Sequence, residues 1–235
     1  MKLYSRNNPA KQWMLEEIER IATDRSLRVC DLGCGAGSVW PDFLRDHPHI
    51  AYVGLDTDAK EIERAKKNFT GCPNAAVLVA DAQRFTEESG RFDIVTAFSA
   101  LEHVVDLDAF IATTLGLLRS GGTALLNYDA GHFRSHDLKE RLMVPVSQML
   151  AKIGFEGPYM KEVDDAKLAA IVSAKGGTVE KMMKHNFHPL KSLFKGANDE
   201  TINDWFAFES RLNEHVPKDR LHQLMWSTTL VMKKP

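Results

Sequence analysis

The chain has little cysteine. Cys30, Cys34 and Cys72 are the only three among 235 residues. That is too few for the disulfide framework of a small secreted domain, and it fits a reducing compartment. Cys30 and Cys34 stand four apart, outside Cys-x-x-Cys spacing, and read as small buried or loop residues. Also absent is any apolar run approaching the ~18 residues of a membrane span. The first residues, Met1-Lys2-Leu3-Tyr4-Ser5-Arg6, lack the apolar segment of a signal peptide. The expectation is a cytoplasmic chain with no membrane partner. An excess of one charge is missing too: 30 Lys+Arg against 32 Asp+Glu leave a net charge of −2. No broad electrostatic footprint for nucleic acid follows from that balance, although a local basic patch stays open. Internal repeats and low-complexity stretches are absent. The length suits one sizeable α/β domain with additions, and the oligomeric state is left open.

What is present is a glycine-rich turn, Val29-Cys30-Asp31-Leu32-Gly33-Cys34-Gly35-Ala36-Gly37-Ser38. An apolar, strand-like stretch ends on an acid, and a helical pattern follows through Trp40, Phe43 and Leu44. Gly33, Gly35 and Gly37 permit positive φ and let a ligand approach backbone that a Cβ would shield, next to a helix N-terminus. Two more apolar runs end on acids. Ala51–Leu55 leads to Asp56, about 20 residues past the glycines, where an acid accepts from ribose hydroxyls. Ala76–Ala80 leads to Asp81, whose carboxylate and the following Ala82 N–H suit an adenine edge. One acid ending a strand is usually a cap; three behind consecutive strand patterns point to a nucleoside site. The dinucleotide fingerprint Gly-x-Gly-x-x-Gly fits poorly, because its third position is Ser38 and the extra glycine comes one residue early at Gly37.

These residues resemble the class I S-adenosylmethionine (SAM) dependent methyltransferases. Asp31, Gly33, Gly35 and Gly37 match their acid-x-Gly-x-Gly-x-Gly loop. Asp56 matches their second-strand acid, and Asp81-Ala82 their third. Phe92–Val104 is similar to the fourth strand and turn of a subgroup with a Leu-Glu-His-Val signature, and Leu117–Leu126 to the Gly-Gly turn and fifth strand. The resemblance covers about 25–128, with weak extensions near 178–187 and 225–233. It implies a doubly wound, Rossmann-like, seven-stranded and mostly parallel sheet, with helices on both faces and helical additions after strands five and six. It also implies SAM as cofactor, leaving S-adenosylhomocysteine as product. The cofactor residues expected are Asp31, Gly33, Cys34, Gly35, Gly37, Asp56, Thr57, Asp81, Ala82, Phe98 and Ser99. Some relatives bind a divalent metal through Glu-x-x-Glu-His. Here Ser99 replaces the first glutamate, and Glu102 with His103 alone makes a poor octahedral site, so no metal is expected.

The alternation of strands and helices itself implies a parallel sheet with right-handed crossovers. Asn8 and Pro9 read as the cap and first turn of a helix through Ala22, within an N-terminal segment 1–24. The cofactor core spans 25–128: a first strand at Leu27–Cys30, helices near 38–46, 58–69 (with Asp58 as its cap) and 107–119, and a turn at Gly121-Gly122. Two stretches exceed the plain fold. The first, 129–163, holds an amphipathic run Leu138–Ile153 broken at Pro145. The second, 189–222, carries Trp205, Phe206, Phe208 and Leu212 on one helix. Between and after them lie a helix at 164–175, a sixth strand at 178–187 and a final antiparallel strand at 224–232. The additions read as a roof over a pocket. The plain alternative is surface helices or an oligomer contact.

Transfer of a sulfonium methyl needs an in-line nucleophile, exclusion of water and, for a hydroxyl or protonated amine, a base. His132, His103 and Tyr128 are the candidate bases or orienting groups. Arg134 is placed to pair with an acidic substrate group, and Tyr4 and Trp205 to contact substrate. For His103 the alternative is a helix-start residue that orders the loop; for the exit loop, a polar segment whose Asp129 caps a helix. His185-Asn186-Phe187-His188 invites a metal reading, but strand residues three apart face opposite sides. An enclosed pocket favours a small-molecule acceptor methylated at oxygen or nitrogen. Phe98-Ser99-Ala100 stands where relatives that methylate planar amines carry Asn/Asp-Pro-Pro-Tyr. RNA or protein acceptors, and a SAM-binding module without turnover, are the alternatives.

Overall fold

Three consecutive apolar runs of five to seven residues, the first two each followed by a helix, give the chain its frame. The computed structural model describes residues 2–23, 25–87, 89–130, 138–152 (side chains from 142 to 151), 159–187, 190 and 193–235. The elements are α1 (Pro9–Ala22), β1 (Leu27–Leu32), α2 (Trp40–Asp46), β2 (Ile50–Asp56), α3 (Ala59–Asn68), β3 (Ala75–Val79) and β4 (Phe92–Ala97). A 3-10 turn (Leu101–His103), α4 (Leu107–Leu117), β5 (Leu118–Asp129), α5 (Leu138–Lys152) and α6 (Asp165–Ala174) follow. The chain ends with β6 (Thr178–Phe187), α7 (Asp199–His215), α8 (Lys218–Leu224) and β7 (Met225–Lys233). One seven-stranded sheet runs β3-β2-β1-β4-β5-β7-β6. All neighbours are parallel except β7, which is antiparallel to β5 and β6.

The caps are those that the sequence signals. Asn8 Oδ1 accepts from Lys11 N, with Pro9 in the first turn of α1, and Asp58 Oδ1 accepts from Lys60 N at α3. The central strands bury both faces. One core packs Leu32, Val95, Leu126 and Leu230 against Phe110, Ile111, Leu168 and Val172 of α4 and α6. The other packs Val29, Tyr52, Leu125 and Val231 against α1, α2 and α3 through Met14, Ile18, Trp40, Phe43 and Phe69.

Two local expectations change. The Gly121-Gly122 turn is instead a bulge within β5: Phe92 pairs with Leu118 but Ile94 with Thr123. Gly121 takes φ +73° and donates to Lys234 O at 2.9 Å, so the bulge is stitched to the chain end. Pro145 does not break its helix; α5 continues through it. No helix among the described residues is long and apolar enough to cross a membrane.

Candidate active site

Parallel strands present their carboxyl ends at one edge, and there the three acids of the sequence part company. Asp31 turns inward. It is 1% exposed. Its Oδ1 accepts from Thr96 Oγ1 at 2.8 Å, and its Oδ2 from Trp40 Nε1 at 2.8 Å and Tyr52 Oη at 3.2 Å. Burial raises its pKa to about 6 against the lowering effect of those three donors. Its pairing partner Gly54 makes room, since a Cβ there would lie 2.7 Å from the Tyr52 hydroxyl.

Asp56 faces the edge. Its Oδ2 accepts from Gly35 N at 2.8 Å and its Oδ1 from Asp58 N at 2.9 Å, tying the glycine loop to β2. Asp81 Oδ1 accepts from Gln83 N at 2.8 Å. Asp56 and Asp81 line one cavity of about 340 Å³, together with Gly33, Thr57, Ala82 and Ser99 from the expected set. Its remaining wall was not foreseen: Leu32, Ala80, Gln83, Ala100, Val104 and Phe110. Gln83 had no motif to announce it. It stands beside Asp81, and its Oε1 accepts from Asp106 N at 3.0 Å.

Four other expected cofactor residues stand off this cavity. Gly35 holds Asp56 through its N–H. Gly37 serves packing: at φ +64°, a Cβ would lie 2.5 Å from the Phe69 ring. Cys34 donates its N–H to Leu55 O at 2.9 Å, and burial beside Asp31 and Asp56 pushes its thiol pKa up. Phe98 is buried edge-on to Trp40, with ring centroids 5.6 Å apart.

His103 lines the cavity. Its Nδ1 lies 3.0 Å from Tyr159 O. A carbonyl only accepts, so Nδ1 donates to it, which fixes the orientation of the ring. The end of the first addition is clamped here. Lys161 N donates to Glu102 O at 2.8 Å, Met160 N to Ser147 Oγ at 3.2 Å, and Gln148 Nε2 to Met160 O at 3.1 Å. α5 is thereby tied to the turn that borders the cavity.

A methyltransferase domain family matches residues 6–228. The chain belongs to that family: it is a class I SAM-dependent methyltransferase. A ubiquinone biosynthesis O-methyltransferase of Aromatoleum aromaticum is 26% identical over 193 residues, 80% of each chain. One from Coxiella burnetii is 26% identical over 197 residues, 83% of this chain and 81% of its own. The crystal structure of magnesium protoporphyrin IX methyltransferase from Synechocystis, with bound S-adenosylhomocysteine, superposes with a TM-score of 0.58 at 15% identity. It covers 96% of this chain and 84% of its own.

Three residues expected to act on substrate in this methyltransferase have other employment. Tyr128 is 4% exposed and donates to Asp165 Oδ1 at 2.7 Å. Burial and the Asp165 charge drive its pKa far above the phenol range, so it is no base. Trp205 is buried against Phe194 and Phe206 and donates to Glu209 Oε1 at 2.8 Å. Tyr4 packs edge-on to Phe43 and donates to Asp46 Oδ2 at 2.8 Å, which binds the N-terminal segment to α2. His132 and Arg134 lie outside the described residues. Among the described residues no group of three or more His, Cys, Asp or Glu is gathered for a metal. Ser99, at φ +52°, spends its hydroxyl on Asn127 Oδ1 at 3.2 Å.

Glu102 is 1% exposed; its Oε1 accepts from Asp129 N at 3.3 Å, and Oε2 has no hydrogen-bond partner among the described residues. Burial, helped by the Asp129 charge, lifts its pKa from the usual 4.5 to about 8. The folded chain then holds a proton that the unfolded chain releases near pH 4.5, so stability is full below that pH and falls as pH rises towards 8. Glu102→Gln removes this loss. Urea titrations at pH 5 and pH 8 should show the variant gaining on the parent by about 3 kcal/mol between the two. Parallel pH profiles would mean that Glu102 is ionised in the fold.

Proposed function

We infer that the protein transfers the methyl group of SAM to a hydroxyl oxygen of a small-molecule acceptor. The observation that carries this is shared length: the relatives named as ubiquinone biosynthesis O-methyltransferases align over about four-fifths of this chain and of their own. A ring hydroxyl of a quinone precursor is the acceptor class that those names suggest.

The cavity suits the cofactor. Gly33, at φ +73°, faces Ala100 so closely that a Cβ would come within 3.1 Å of the alanine methyl, and both line the space. Each Asp56 oxygen retains a lone pair beyond its backbone N–H, enough to accept from ribose hydroxyls. Asp81 and Ala82 take the adenine edge, between the apolar walls of Ala80, Val104 and Phe110. Asp31 and Phe98 hold the loop and α2 from beneath.

Bound SAM supplies an electrophilic methyl on a sulfonium. The chain's own task is to orient the acceptor, exclude water and remove a proton. His103 borders the cavity, its ring oriented from behind by the Tyr159 carbonyl, and is the residue for proton removal. The clamp through Lys161 and α5 narrows solvent access from that side.

The test uses SAM labelled on the transferable methyl and cell extract separated by size. Label is expected in the small-molecule pool, in a product carrying a methoxy group. Label confined to nuclease- or protease-sensitive material would replace the acceptor class.

A further inference from the structure

On the α1 side of the sheet, the core is apolar until it nears the carboxyl edge, where it becomes a buried polar strip. Ser99 Oγ, at the cofactor cavity, donates to Asn127 Oδ1 at 3.2 Å. Asn127 Nδ2 donates to Ser227 Oγ at 2.9 Å and Thr229 Oγ1 at 3.1 Å. Ser227 pairs across strands with His185 of β6, and residues paired across strands share a face. The strip thus runs from the cofactor cavity across β5 and β7 to His185.

His185 ends it in an unusual state. It is 3% exposed, and its Nε2 has no hydrogen-bond partner among the described residues. Buried imidazoles ordinarily find one. Burial, with Lys218, Lys181 and Lys184 nearby, lowers its pKa to about 3 and keeps the ring neutral. It borders a cavity of about 80 Å³ walled by Trp13 and Glu16 of α1 and by Phe206, Ala207 and Ser210 of α7. The Trp13 ring stands 5.5 Å from the imidazole. At about 10–15 Å³ for each water-sized group, that space takes roughly six heavy atoms, the size of one small ring.

We propose that this cavity is a subsite for an uncharged, planar ring with a polar edge, held between α1 and α7 with Trp13 as its aromatic wall and His185 Nε2 as its hydrogen-bond partner. It is separate from the cofactor cavity: the two share no lining residue, and β5 and β7 lie between β4 and the β6 strand that carries His185. His185 positions that ring and takes no proton from it, since a neutral imidazole of such low basicity is a poor base at pH 7. The Glu-rich and Lys-rich surroundings give no net preference for an ion: Glu16 is held by Gln12, and Glu209 by Trp205 and two backbone N–H groups.

Phenol is the probe, titrated into the full chain at pH 7 while the His185 ring nitrogens are followed by ¹⁵N NMR. In parallel, calorimetry measures S-adenosylhomocysteine affinity. A saturable shift at about 1–10 mM is expected for so small a ligand. His185→Phe and Ser210→Leu fill the cavity from opposite walls. Ser210→Leu should abolish the His185 shift, and His185→Phe should abolish phenol binding measured by ligand-observed NMR, with S-adenosylhomocysteine affinity within about twofold of the parent. No saturable shift in the parent, or undiminished phenol binding in both filled variants, overturns the subsite and leaves the cofactor reading standing. Phenol binding without S-adenosylhomocysteine binding keeps the ring subsite and overturns the cofactor reading.

Discussion

Asp31→Ala is expected to lower stability by about 3–4 kcal/mol at pH 7.5, while weakening cofactor affinity only to the extent that the loop loosens. The carboxylate is the sole described acceptor for the Trp40 indole N–H, and it also accepts from Tyr52 and from Thr96, whose hydroxyl lies 3.4 Å from Cys30 O as well. Removing it leaves the buried Trp40 and Tyr52 donors unmet, each costing about 1–3 kcal/mol, and leaves Thr96 only its longer bond to Cys30 O. Relief from burying a carboxylate, visible in the rise of its pKa to about 6, offsets part of that. Asp31→Asn keeps one acceptor oxygen and should fall between. Urea unfolding gives the stability, and calorimetry with S-adenosylhomocysteine gives the affinity. If Asp31→Ala keeps its stability but loses more than tenfold in affinity, then the acid contacts the ligand, as the motif alone would have it.

The difference between motif and structure at Asp31 marks what a sequence reveals. Alternation of apolar runs and helical patterns is local, so the mostly parallel sheet, the caps at Asn8 and Asp58 and the final antiparallel strand were all legible. So were Asp56 and Asp81, because a residue that ends a parallel strand has its place set by that strand. Direction at the strand end was not legible. Asp31 points into the core because Thr96 of the adjacent strand and Trp40 and Tyr52 supply donors there. The cavity's far wall was hidden for the same reason. Gln83 reaches Asp106, 23 residues on, and no periodicity encodes that pair. The glycines divide similarly: Gly33 borders the cavity, whereas Gly37 yields to the Phe69 ring from α3's end. His185 was read only as half of a doubtful metal pair, since burial without a partner arises from α1 and α7 closing over it.

Lys184 was the least legible residue, a lysine inside a strand pattern that would ordinarily face solvent. It is 1% exposed. Its ammonium donates to Asp165 Oδ2, to Thr228 Oγ1 at 2.8 Å and to His222 Nδ1 at 3.3 Å, while Tyr128 holds the other Asp165 oxygen. Although burial raises the Asp165 pKa, hydrogen bonds from Lys184 and Tyr128 hold it below the usual value. Its contribution is therefore present above the unfolded pKa near 4 and lost as pH falls through the folded one. Asp165→Ala should cost about 2–4 kcal/mol at pH 7, because it strands a buried ammonium and leaves the Tyr128 hydroxyl without its acceptor. Asp165 is itself 29% exposed, which keeps the figure at the lower side of fully buried pairs. Adding Lys184→Met should recover most of the loss, since the stranded charge goes with it. Strong recovery in that double-mutant cycle would establish the pair as the element pinning β5, β6 and α6 together. Simple additivity of the two losses would show that the ammonium is satisfied without Asp165 and that the carboxylate acts through Tyr128 alone.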